Sequence, residues 1–149
     1  VSYTQAHAAW SCAPLNDSVP WLRHRIRAEI KAAGIVEPDG EVAYAIELVA
    51  SELLSNAVRH KPSTSVQSGA TRGETITVAL HWQPTAARVV ATDPYAGMPQ
   101  HRNANVDDES GRGLLLMAAI GTWGVRPSTV GKHVWCEIPY GSGGLRDHA

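Results

Sequence analysis

A chain of 149 residues with 44% hydrophobic and 18% charged side chains has the size and apolar content of one compact domain, not of a disordered segment. Thirteen Lys and Arg against 14 Asp and Glu leave a net charge of −1, which argues against a general nucleic-acid binder or a protein drawn to anionic membranes. No apolar run approaches the roughly 20 residues of a membrane span. Val1-Ser2-Tyr3-Thr4-Gln5 lacks the basic-then-apolar order of a signal peptide, so a cytoplasmic location is expected. Cys12 and Cys136 are too few for a disulfide framework and fit no zinc spacing; they read as core thiols of a reduced protein.

Taken in chain order, His7 to Ala13 reads as a short strand ended by Pro14. Asn16-Asp17-Ser18 with Pro20 just inside is a helix start. Val19, Leu22, Ile26 and Ile30 recur at helical spacing while Arg23, Arg25, Arg27 and Lys31 face outward, and Gly34 stops the helix. A second helix follows Pro38-Asp39-Gly40 and runs from about Glu41 to Arg59. The polar stretch Lys61 to Gly73 reads as a loop. Glu74 to Trp82 and Ala87 to Thr92 alternate as two strands of a hairpin across Pro84-Thr85. Asp93 to Gly113 is too long for a mere connection, and loops of that length are usually functional. Leu114 to Ile120 reads as a short buried helix starting directly after Gly113. Thr122 to Arg126 and Lys132 to Ile138 close the chain as two strands around a turn with Gly131. Strands and helices in this order predict an α+β fold, one sheet covered on one face by helices.

Three groups of residues carry possible chemistry. On the second helix, Val42, Ile46, Val49, Ala50, Leu53 and Ala57 form an apolar stripe. Glu52, Asn56 and His60 climb its edge four residues apart, each turned about 40° from the last. An exposed carboxylate, a satisfied amide and a helix-end His would account for the row. So would a cleft in which the Asn56 oxygen is a hard ligand for Mg²⁺ and Glu52 a base toward a hydroxyl attacking a phosphoryl group. In Glu109-Ser110-Gly111-Arg112-Gly113-Leu114, the glycines allow close approach of a ligand. The helix that follows offers free N–H groups, and Arg112 suits phosphate. By itself this is equally a tight turn, and it is neither a Walker A loop nor a Rossmann fingerprint. Asp93, closing a buried strand in Asp93-Pro94-Tyr95-Ala96-Gly97-Met98-Pro99, is a turn former or an acceptor for an exocyclic amine.

In this order and spacing the three groups resemble the Asn box, Asp-Gly box and second Gly box of the GHKL (Bergerat-fold) ATPases. That fold is shared by DNA gyrase, ATP-driven heat-shock chaperones, histidine kinases and MutL. Ser51-Glu-Leu-Leu-Ser-Asn-Ala-Val-Arg-His60 and Glu109-Ser-Gly-Arg-Gly-Leu-Leu-Leu-Met117 look most like bacterial anti-sigma factor serine/threonine kinases and small actinobacterial ATP-binding regulators. The resemblance spans about Ser11 to Pro139. It implies a two-layer sandwich with a mixed, mostly antiparallel sheet. Residues 1–6 would be an extension, 7–140 the ATPase domain with an ATP lid at about 97–111, and 141–149 a flexible tail.

The resemblance implies ATP and Mg²⁺ as cofactors. Asn56 matches the Mg²⁺-binding Asn, Glu52 the general base, and Asp93 the carboxylate that holds the adenine amino group. Gly97 and the adjoining Met98, then Gly111, Arg112, Gly113 and Leu114, match the remaining nucleotide-binding positions. Two positions depart. Tyr95 stands where the family places a glycine, which predicts a narrowed adenine pocket or a ring against the base, and Lys132 stands where many relatives carry Thr. The implied function is an Mg·ATP-binding anti-sigma-type regulator with serine/threonine kinase activity, its partners a sigma factor and an anti-sigma antagonist, with homodimers common among relatives. The alternative is a partner-switching binding module with weak or no nucleotide binding. A complete histidine kinase or a gyrase-like motor is not expected of a chain this short. The five Trp read as core or interface anchors, and the seven His show no paired metal spacing.

Overall fold

The computed structural model describes residues 7–60, 74–95, 109–128 and 131–141, with only the backbone at 109–112. The elements are β1 (His7–Cys12), α1 (Ser18–Ala33), α2 (Glu41–Arg59), β2 (Ile76–Trp82), β3 (Ala86–Asp93), α3 (Glu109–Ile120), β4 (Thr122–Ser128) and β5 (Gly131–Pro139). This is the predicted order. The strands form one sheet, β1-β2-β3-β5-β4, and every described pair is antiparallel. The parallel pair that a mixed sheet would need is not present among the described strands.

The alternation of β2, Ile76, Val78, Leu80 and Trp82 inward with Thr77, Ala79 and His81 outward, is the pattern of a sheet with one face buried. The helices lie on that face: α2 packs on β2, β3 and β5, α1 on α2 and β1, and α3 on α2 and β4. Ile46, Val49, Ala50, Leu53 and Leu54 of α2 are almost fully buried, joined by Leu22 and Ile26 of α1 and by Leu114 and Met117 of α3. In folded proteins most helical stability comes from packing of an apolar face, and α2 has such a face over its 19 residues. Each buried Leu or Ile contributes about 1.5–3 kcal/mol, so packing rather than propensity holds α2.

The start of α1 differs from its sequence signal. Asp17 precedes the helix in αR conformation and makes no side-chain cap. Ser18 Oγ instead donates to Ala13 O at 2.8 Å, and the Ser18 and Val19 amides donate to Leu15 O and Asn16 O. The tight turn after Pro14 satisfies these amides through the backbone, leaving the carboxylate no role there. At the other end Gly34 has φ 66° and donates its N–H to Ile30 O, the left-handed stop that glycine permits.

The larger difference lies in α3, which begins at Glu109 and not at Leu114, so Gly111 and Gly113 are inside the helix. The sheet face away from the helices carries Arg88, His133 and Trp135. There the Trp135 ring lies across Gly124, where an added Cβ would meet ring atoms at 2.6 Å, with the Arg88 guanidinium 4.7 Å from the ring centre. Cys136 is buried and Cys12 half-buried, both free. Trp82 is buried, whereas Trp21 is largely exposed beneath Arg25. No helix among the described residues is long and apolar enough to cross a membrane.

Candidate functional site

The first cluster forms where α2 meets α3. Asn56 falls on the buried side of α2 with 5% exposure, and Glu52, one turn earlier, is half-buried beside it. Gly113 of α3 rests on both: a Cβ at this position would collide with Glu52 Oε2 and lie 3.7 Å from Asn56 Nδ2. The residue is glycine because no other fits that contact without moving the carboxylate. Asn56 Oδ1 accepts a hydrogen bond from Arg59 Nη2, which also stands 3.8 Å from Glu52 Oε2. Among the described residues Asn56 Nδ2 is buried without a partner, a state that costs about 1–3 kcal/mol and leaves the amide a donor open to a ligand's acceptor.

Arg59 is the residue that sequence reasoning missed. Its spacing, three residues after Asn56 and seven after Glu52, was the available signal, since such positions share a helix face. His60, the third member of the predicted row, is exposed at the end of α2 and donates its backbone N–H to Asn56 O.

The glycine segment is placed differently from its sequence reading. In a helix that starts at Glu109, the first four N–H groups have no partner within the helix. Within the helix these are the amides of Glu109, Ser110 and Gly111. The amides of Arg112, Gly113 and Leu114 fall deeper and are used by the helix itself. Leu114 sends its side chain into the core at 1% exposure. Gly113 therefore serves the site by letting α3 approach α2, not by a free amide.

The second cluster is built by strand register. Asp93 ends β3 directly opposite Lys132 of β5, and both side chains point to the helix face, 2% and 4% exposed. Lys132 Nζ donates to Asp93 Oδ1 at 3.2 Å and to Tyr95 O at 3.3 Å, and the Tyr95 amide donates to the same Asp93 oxygen at 2.9 Å. Gly131 has φ 152°, and its backbone lies so close to Asp93 O and Pro94 Cα that no Cβ fits. Tyr95, 4% exposed, donates its phenol to Glu74 Oε2 at 3.2 Å. Burial and the neighbouring Glu74 and Asp93 charges push that phenol up to about 12, so it remains a donor at neutral pH.

Removing one partner from a buried ion pair costs about 3–5 kcal/mol, while a hydrogen bond from a neutral amine to a carboxylate returns about 1.5–3 kcal/mol. A neutral amine therefore does not displace Lys132 from Asp93. Of the other predicted site residues, Gly97 and Met98, with most of the predicted lid, lie outside the described residues, as does the side chain of Arg112. The predicted extension at 1–6 and nearly all of the predicted tail lie outside them too.

A family model of the histidine kinase-like ATPase domain matches residues 12–135. The chain belongs to that family of ATP-binding domains. No curated protein matches the chain. Membership implies ATP, with Mg²⁺, as the cofactor, and the first cluster fits an Mg·triphosphate in its donor set. The unpartnered Asn56 Nδ2 and the leading amides of α3 suit phosphate oxygens, and Asn56 Oδ1 suits a hard cation. A cation on Oδ1 would displace Arg59, whose second partner Glu52 is already at hand.

Proposed function

We propose that the protein is an Mg·ATP-binding regulator of the anti-sigma-factor type that phosphorylates a Ser or Thr on an antagonist protein. The observation that carries this reading is the seat of Gly113 on Glu52 and Asn56, with a buried amide donor unpartnered beside it. Asn56 would hold Mg²⁺ through Oδ1 and a phosphate oxygen through Nδ2. Bound Mg²⁺ supplies charge neutralisation at the phosphates. The leading amides of α3 would face the polyphosphate, and Arg112 carries a guanidinium of the type that binds phosphate. Glu52 orients the incoming hydroxyl and takes its proton, and Arg59, released from Asn56, balances the carboxylate charge.

The test is transfer of labelled γ-phosphate from ATP to candidate antagonist proteins. With Glu52→Ala, transfer is expected to fall by about a hundredfold or more while Mg·ATP still binds. An unchanged rate removes the base assignment.

A second reading is favoured by the Lys132–Asp93 pair, which occupies the carboxylate assigned to adenine. In it the protein is a partner-switching module that acts by contact alone. Calorimetric titration separates the two, since no heat with millimolar Mg·ATP eliminates the kinase.

A further inference from the structure

We propose that Lys132 makes the nucleotide site indifferent to the base, so that its ligands are Mg-complexed triphosphates as a class and not adenine nucleotides in particular. The inference rests on the Mg·ATP reading above and deepens it.

Asp93, Lys132 and Tyr95 satisfy one another. One carboxylate oxygen takes two donors, the Lys132 ammonium and the Tyr95 amide, and the ammonium also reaches the Tyr95 carbonyl. The arrangement is set by the backbone. The β3–β5 ladder places Asp93 opposite Lys132, and the close approach of Gly131 to Asp93 and Pro94 fixes the start of β5 against the end of β3. Glu74, two residues before β2, holds the Tyr95 phenol. An exocyclic amine offers a neutral donor in place of a buried cation, a weaker partner for a carboxylate. A base carrying a carbonyl at that position gains no less than one carrying an amine, because the cluster presents an ammonium as well as a carboxylate. Discrimination then falls to the α2–α3 cluster, where Asn56 Nδ2 and the leading amides of α3 address the phosphates that all nucleoside triphosphates share.

Calorimetric titration of the full chain with Mg·ATP, Mg·GTP and Mg·tripolyphosphate, at one free Mg²⁺ concentration, tests this. Wild-type protein is expected to bind ATP and GTP within about threefold of each other, and tripolyphosphate to compete with both. Lys132→Thr, which keeps a strand-forming residue, frees the carboxylate and removes the ammonium, is expected to tighten ATP by about tenfold or more, to weaken GTP, and to leave tripolyphosphate unchanged. Wild-type preference for ATP over GTP of about tenfold or more overturns the inference and leaves the Mg·ATP reading standing. A Lys132→Thr variant that shifts all three ligands equally does the same. Failure of wild-type protein to bind any of the three overturns both. Should the variant not fold, the wild-type ratio of ATP to GTP decides alone.

Discussion

At Asn56 a single side chain carries two opposite chemistries. Its oxygen is held by Arg59, and its nitrogen is buried with no acceptor among the described residues. An interior that leaves a donor unpaired loses stability, and the loss is tolerable where a ligand later supplies the acceptor. Gly113 keeps that position reachable. Gly113→Ala should therefore separate binding from folding. An Ala inside a helix gains up to about 1 kcal/mol over Gly, which offsets the shift forced on the half-exposed Glu52 carboxylate, the atom its Cβ would strike. The expected result is a urea midpoint within error of wild type, together with tripolyphosphate binding weakened by about tenfold. A large fall in the midpoint with binding intact would contradict it.

Among the elements, α1 and α2 are joined by more than their apolar stripes. Glu47, on the buried side of α2, accepts from Arg23 at 3.0 Å and from Arg27 at 2.9 Å. Burial acts to raise the Glu47 carboxyl, but hydrogen bonds and charge from Arg27 and Arg23 outweigh it and hold it below its usual 4.5. The two arginines are otherwise exposed, so they reach across α1 from the solvent side. How α1 ends can be tested cleanly. Nothing lies within 4 Å of a Cβ placed on Gly34, whose φ is 66°. Gly34→Ala should thus cost only the left-handed backbone penalty, about 1–2 kcal/mol, read as a lower midpoint in urea denaturation. A neutral effect would mean that the turn rearranges.

For the molecule as a whole, the sheet separates two environments. Its helix side holds the core and both clusters; its other side holds a row of basic and aromatic groups. His7 stacks on His81 there at 5.3 Å. Burial, then the nearby His7 and Arg88 charges, push His81 below its usual 6.5. The unfolded chain therefore takes up a proton at this site before the folded chain does, and stability is lost as pH falls below about 6.5. Denaturation midpoints should drop between pH 7 and pH 5, and His81→Gln should flatten that drop. Glu47 contributes in the same direction below its usual 4.5. A midpoint that rises on acidification would refute the assignment.

Much of this architecture was legible in the residue order. The predicted bounds of α2 coincide with the observed Glu41–Arg59, because a long apolar period between Gly40 and a polar stretch leaves little choice. The start of α3 was not legible. Gly111 and Gly113 are poor helix formers, and only the approach to Glu52 and Asn56 shows why glycine stands inside that helix. Likewise the two-residue alternation Lys132, Val134, Cys136, Ile138 marks Lys132 as facing inward. Alternation along one strand says nothing of the neighbour, so the pairing of Lys132 with Asp93 was invisible.

By itself the sequence determined the element order, the buried stripes and the row of Glu52 and Asn56, since these are local periods of one chain segment. Only the tertiary structure decided that Arg59 holds Asn56, that α3 rests on Glu52, and that Lys132 occupies Asp93. The last two depend on distances between segments far apart in the chain, which helix packing and strand register set; Arg59 lies one turn from Asn56, and there the side-chain rotamer decides.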